Sequence, residues 1–263
     1  MLTRFQGTYR SNIKPKTRVA VSPMDAVEFA RTRLGLEADE PQREMLRSKT
    51  KRGILNCTRQ WGKSTVAAAK AVHRAFTVAK CTVVVASPGD RQSGEWMRKA
   101  EGMVESLDIL PVGDGYNKLL LLLPNGSRIV GLPASEPKIR GFSALSMLVI
   151  DEASRVSDEL YRALRPMLAV GSGDLWLMST PCGKAGFFYE TWEHAGPEWL
   201  RVRVPATECP RISKEFLEEQ RSAMGMESFR QEHMCEFVGS GMGVFDRDVV
   251  EAALDEGIEA LEV

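Results

Sequence analysis

The stretch ILNCTRQWGKST, residues 54–65, joins an apolar β-type run to a segment with helical spacing. Gly62-Lys63-Ser64 at such a junction lets backbone N–H groups and a helix N-terminus surround a β-phosphate. Lys63 would then bridge β- and γ-oxygens, with the Ser64 hydroxyl on Mg²⁺. The glycine that usually opens a phosphate-binding loop is missing, and Cys57 stands in its place. A residue with a Cβ resists the positive φ often used there. The triplet alone is a weak signal; its position between strand and helix strengthens it.

Working outward, short β-branched runs alternate with helical patterns. A helix is expected from about Ser64 to Ala79, a strand over CTVVVAS (81–87) and a helix around Glu95 to Leu107. LLLLLPNGSRIVGL (119–132) has Asn-Gly between two apolar runs and predicts a hairpin. SMLVIDEAS (146–154) is an apolar strand ending in two acids, followed by a helix from Asp158 to Leu168. LWLMSTP (175–181) and LRVRVPA (200–206) read as further strands. Strands that are apolar on both faces and alternate with helices predict an α/β fold, a mostly parallel central sheet flanked by helices. Its ligands belong at the carboxyl ends of the strands.

Asp151-Glu152 at the end of an apolar strand admits two readings. The acids could favour a following helix N-terminus. With a phosphate loop upstream, Asp151 would hold Mg²⁺ and Glu152 would polarise an attacking water as general base. A phosphotransferase has no need of the second acid, so Glu152 argues for hydrolysis. His73, His194 and His233 are isolated, and no metal site is expected at them.

Of the 263 residues, 43% are hydrophobic, enough for one large α/β domain and a small appendage. Lys+Arg and Asp+Glu are both 35, so no global field points to nucleic acid or membrane. The five cysteines are scattered without a CxxC pair, which fits free thiols in a reducing cytosol. The longest aliphatic run, Leu119 to Leu123, is far short of a membrane span, and a soluble intracellular protein is expected. Residues 1–20 are basic without an acid, and residues 246–263 carry seven acids and one base. Both ends read as solvated segments, the basic one with a polyanion contact as its functional alternative.

The run TRQWGKST, with Arg59 and Gln60 inside the loop and no opening glycine, resembles the phosphate loop of large terminase subunits, the genome-packaging motors of tailed bacteriophages. Pro41-Gln42 resembles that family's adenine-contacting glutamine motif. NGSRIVGLPAS (125–135) and IRGFSALSMLVIDEAS (139–154) resemble the segment through the second acidic motif. LMSTP (177–181) resembles the coupling motif, and FRQEHMCEF (229–237) the end of the ATPase region.

The resemblance implies a P-loop NTPase of the additional-strand catalytic-glutamate type with a small C-terminal lid. It implies a nucleotide site at Gln42, Thr58, Arg59, Gln60, Trp61, Gly62, Lys63, Ser64 and Thr65, with ATP and Mg²⁺ as cofactors and the metal on Ser64 and Asp151. Lys63, Arg59 and Glu152 become catalytic, Arg140 an arginine finger, and Ser179-Thr180 the element that senses hydrolysis. Arg59 would add planar donors that a lysine lacks. Ser179 and Thr180 could hydrogen-bond the attacking water, or simply form a strand-end turn before Pro181. Arg140 reads equally as a surface arginine in a turn. Trp61 reads as a packing residue rather than a base-stacking platform. Arg98 and Lys99 are the local candidates for double-stranded DNA, although a charged helical face is their ordinary reading.

The expected organisation is an N-terminal arm and helical segment (1–40), an ATPase core (41–205), a lid (206–245) and an acidic linker (246–263). The family continues into a nuclease domain, so either the chain is cut at that linker, the favoured expectation, or the nuclease is a separate chain, and no DNA cleavage is assigned to these residues. A homo-oligomeric ring, a portal protein and a small terminase subunit are the implied partners, in the host cytoplasm. Two alternatives remain. A two-lobed helicase shares the phosphate and acidic motifs but needs a second lobe, and a nucleotide-binding regulatory module needs neither Glu152 nor Arg59.

Overall fold

The computed structural model describes residues 24–109, 119–134 and 142–239. Arg140, the basic arm and the acidic linker expected from the sequence lie outside the described residues.

In chain order the elements are α1 (Ala26–Leu34), α2 (Glu40–Arg47), β1 (Arg52–Cys57), α3 (Lys63–Thr77), β2 (Thr82–Ser87) and α4 (Asp90–Glu105). The hairpin β3 (Leu120–Leu122) and β4 (Arg128–Pro133) follows, then β5 (Met147–Asp151), α5 (Asp158–Leu164) and β6 (Asp174–Ser179). The chain continues through α6 (Gly186–His194), β7 (Trp199–Val204), α7 (Lys214–Ala223) and α8 (Met226–Met234).

The strands form one seven-stranded sheet in the order β3-β4-β2-β5-β6-β1-β7. Every pairing among the described residues is parallel except β3 with β4, the expected Asn-Gly hairpin. Alternate strand residues enter two cores, as apolar-on-both-faces strands require. Leu55, Val83, Val85, Val149 and Met178 pack under α1 to α4. Ile54, Val84, Leu148, Ile150 and Leu177 pack on α5 and α6. Helices α7 and α8 have their own small core around Ala206, Leu217 and Phe229.

Three local outcomes differ from the sequence expectation. Helix α4 begins at Asp90, directly after Pro88-Gly89, because interior Gly94 disguises its first turn as a loop. Helix α5 stops at Leu164 and tightens to a 3₁₀ turn over Arg165–Leu168, since Pro166 has no N–H to continue the ladder. Helix α6 has no counterpart in the sequence expectation: its aromatic stretch GFFYETWEH has little intrinsic helix preference, and burial of Phe187 and Phe188 supplies what propensity does not.

The N-terminal helices α1 and α2 pack against α3. Phe29 and Met45 are buried against α3. Lys70 of α3, itself buried, donates to Met45 O (2.8 Å) and Leu46 O (3.1 Å) at the C-terminus of α2 and lies 4.7 Å from the Trp176 ring centre. Burial pushes its amine down to about 8. Gly53 faces the same ring across the β1–β6 register; a Cβ there would sit 2.2 Å from a Trp176 carbon, so only glycine fits.

Candidate nucleotide site

Strand β1 delivers the phosphate loop, and the loop shows why it needs no opening glycine. Cys57 remains in the strand, fully buried, and Thr58 N still bonds Val204 O of β7 at 2.9 Å. The left-handed backbone falls later, at Gln60 (φ 66°) and Gly62 (φ 99°). A Cβ is therefore harmless at 57 and costly at 62. Burial pushes the Cys57 thiol well above its ordinary range, so it is a packing residue and not a nucleophile. Gly62 caps α3 without any side-chain hydrogen bond, which leaves first-turn N–H groups for an anion.

Lys63 is only 6% exposed. Its Nζ lies 3.4 Å from Thr58 O, 3.5 Å from Thr180 Oγ1 and 3.9 Å from Glu152 Oε1. The Ser64 hydroxyl donates to Asp151 Oδ2 at 3.0 Å, and the Glu152 N–H donates to Asp151 Oδ1 at 3.0 Å. Strands β1, β5 and β6 thus bring five expected residues, Lys63, Ser64, Asp151, Glu152 and Thr180, to one point. Glu152 takes a left-handed conformation (φ 51°, ψ 43°) that turns the chain out of β5 and costs about 1 kcal/mol for a residue with a Cβ.

Asp151 is buried, and that burial pushes its carboxyl up to about 6; the Glu152 charge adds to the effect, while Lys63 and Ser64 oppose it. A carboxyl with a higher pKa folded than unfolded holds a proton longer in the native state. Its penalty is absent below about pH 4 and complete above about pH 6. Asp151→Asn is expected to be more stable than wild type by on the order of 2 kcal/mol at about pH 7.5 in metal-free buffer, with the gap closing towards about pH 4. Urea denaturation at both pH values checks this; a gap that widens on acidification overturns it.

Ser179 and Thr180 are fully buried. Ser154 ties them together, its hydroxyl 2.7 Å from Ser179 Oγ and donating to Thr180 O at 2.8 Å. Thr65 bonds Gly62 O through its backbone (3.0 Å), Gln60 is exposed, and the Trp61 side chain is fully buried in the core. Only the Trp61 backbone faces the site: its carbonyl accepts from Gln42 Nε2 (3.1 Å) and from Arg211 Nη1 (2.9 Å). Gln42 is itself 1% exposed, and its Oε1 accepts from Asp39 N at 3.1 Å in a capping box. Both ends of the amide already serve the loop and α2, leaving one N–H and one lone pair for a base. Arg98 and Lys99 are exposed on α4, in none of these contacts.

Sequence reasoning missed the contribution of α8 to the site. Glu232 of α8 pairs with Arg59 (2.6 Å) and with Arg155 (3.3 Å), and Arg155 pairs in turn with Glu152 (3.2 Å). The last carbonyls of α8 accept from the core: Glu232 O from Thr58 Oγ1 (3.2 Å), Met234 O from Arg203 (2.6 Å) and Cys235 O from Asn56 Nδ2 (2.9 Å). The one sequence signal for these contacts is the resemblance of FRQEHMCEF to the end of the ATPase region.

A mostly parallel sheet with β6 inserted between the loop strand β1 and the acidic strand β5 defines a P-loop NTPase fold. The family profile described as terminase large subunit, T4likevirus-type, N-terminal, matches residues 54–251, and the chain belongs to that family. The terminase large subunit of Thermus virus P23-45 is 25% identical over 248 residues, covering 81% of this chain and 51% of its own length. The chain therefore spans about half the length of that relative. Among solved structures, the large terminase ATPase domain of Thermus phage P74-26 superposes with a TM-score of 0.69 at 24% identity, over 80% of this chain and 97% of the other. The large terminase of a thermophilic bacteriophage, solved in complex with ADP, has a TM-score of 0.61 at 12% identity, over 82% of this chain and 53% of the other.

Proposed function

We propose that this chain is the ATP-hydrolysing motor domain of a viral large terminase, driving double-stranded DNA into a procapsid. The convergence of Lys63, Ser64, Asp151, Glu152 and Thr180 at the carboxyl ends of β1, β5 and β6 carries the reading. The loop and Lys63 bind the β- and γ-phosphates. Arg59 then exchanges the Glu232 carboxylate for the γ-phosphate, a partner of the same charge sign and richer in oxygen acceptors. Glu152 takes the proton of the attacking water, and Gln42 with the Trp61 carbonyl sets the loop against α2 on the adenine side.

The donors fit Mg²⁺. Ser64 and Asp151 offer only oxygen, and a buried carboxylate driven up to about 6 gains most from a cation. Ser64 and Asp151 would hold the ion, which would supply charge neutralisation at the phosphates when bound. Ser179-Thr180, packed between Lys63 and Ser154, is assigned to coupling. A full-length motor with Thr180→Val is expected to bind and hydrolyse ATP but package no DNA; loss of ATP binding would overturn the coupling role.

The wider assignments follow the family. Residues 41–205 act as the core, 206–245 as the lid and 246–263 as a linker, in a homo-oligomeric ring working with a portal and a small subunit in the host cytoplasm. Arg98 and Lys99 are assigned to the DNA backbone, since a motor must follow any sequence. Arg140 is assigned to the neighbour's ATP, because Arg59 already serves the subunit's own phosphates. Mixing Arg140→Ala with Glu152→Gln, each inactive, should then recover part of the turnover. No recovery in mixtures shown to assemble would confine Arg140 to its own subunit. The deciding experiment is ATP turnover with and without double-stranded DNA. Stimulation by DNA is expected, and nucleotide binding without turnover would replace the motor with a regulatory module.

A further inference from the structure

Five side chains of alternating charge cross the mouth of the site in the order Lys63, Glu152, Arg155, Glu232, Arg59. The successive separations are 3.9 Å, 3.2 Å, 3.3 Å and 2.6 Å. The middle member has no role in the reading above. Arg155 follows β5 in a 3₁₀ turn, Nη1 on Glu152 of the core and Nη2 on Glu232 of the lid, so one planar fork spans two parts of the protein. Its side chain is 32% exposed and those of its partners 30% and 23%, which places the pairs out of full solvent screening.

The outer members, Lys63 and Arg59, are the cations that a triphosphate attracts. Once they turn to the phosphates, two carboxylates are left with one guanidinium. We infer that Arg155 is a positioning residue that passes from the general base Glu152 to the lid carboxylate Glu232 when nucleotide binds. While paired, Glu152 has an oxygen committed to a charge-assisted hydrogen bond and is a poorer proton acceptor. When Arg155 settles on Glu232, the base is free and α8 is held down on the core. Closure of the lid and release of the base become one event. This inference rests on the hydrolase reading of the site.

The opposing signs of two substitutions test it. Glu232→Gln removes the competing partner and leaves Arg155 on Glu152, so kcat should fall about tenfold while the KM for ATP stays level or drops. Adding Arg155→Gln to that variant frees the base, and kcat should rise back towards wild type. A merely structural Arg155 would make the double variant slower and less stable than either single. Arg155→Lys in the Glu232→Gln background keeps the charge on Glu152 and should stay slow. kcat, KM and thermal melts are measured for each, with Glu152→Gln as blank.

A folded double variant slower than Glu232→Gln overturns the assignment. So does a single Arg155→Gln that loses turnover as completely as the blank, which would place Arg155 on the phosphates. If Arg155→Gln does not fold, the lysine variant decides, since recovery there contradicts the handover. Wild-type turnover equal to the blank defeats the hydrolase reading itself; wild-type turnover without the sign reversal defeats only the role of Arg155.

Discussion

Glu152→Gln will bind ATP nearly as well as the wild type and hydrolyse it about 10²- to 10⁴-fold more slowly, the range that general-base catalysis contributes. Glutamine keeps the length of the side chain and an acceptor oxygen for Arg155, so the 3₁₀ turn after β5 survives. The left-handed backbone at 152 costs either residue much the same. Only the proton acceptor is lost, and a change confined to the chemical step lowers kcat and kcat/KM together. Equilibrium binding of ATP beside steady-state turnover separates the two effects. A variant that turned over like wild type would remove Glu152 from the role of base.

Lys63→Ala should abolish measurable turnover for a different reason. The amine is 6% exposed and has Thr58 O, Thr180 Oγ1 and Glu152 around it, a setting that holds a cation for an incoming anion. Two charge-assisted hydrogen bonds to phosphate oxygens disappear with it, so ATP affinity should fall about 10²- to 10³-fold. Glu152 also loses a neighbouring cation, so restoring occupancy with high ATP should not restore the rate. Titration calorimetry checks the first part and turnover at saturating ATP the second. Retained affinity would mean that the backbone amides of the loop, not Lys63, carry the phosphates.

What the sequence disclosed and what it withheld follow from the range of the interactions involved. Lys63, Ser64, Asp151 and Glu152 stand at ends of elements whose patterns are local, so a strand-to-helix junction and an apolar run locate them. Asn-Gly announces the β3–β4 turn for the same reason. No local pattern gives the partner of Glu232, which reaches Arg59 across 173 positions of chain, or of Arg211, which reaches Trp61 across 150. Gln42 is found by its motif, but its burial is not, because the capping box that engages it depends on Asp39 and on a loop carbonyl 19 residues away. The puzzle of Cys57 needs backbone angles: the left-handed residues stand at 60 and 62, a detail that composition cannot carry.

The insertion of β6 between β1 and β5 has a consequence for how freely this protein can drift in sequence. The proposed phosphate cradle and the proposed general base hang from strands two places apart, a separation of about 10 Å set by backbone hydrogen bonds between neighbouring strands. No side chain determines that spacing. Apolar residues on either face of the sheet can therefore be exchanged with little effect on the distance between reacting groups. A fold shared with chains only 12 to 24% identical is what such a ruler permits. Insertion of a residue within β6, which breaks the ladder on both sides at once, should be tolerated far less than replacement of any buried leucine beside it.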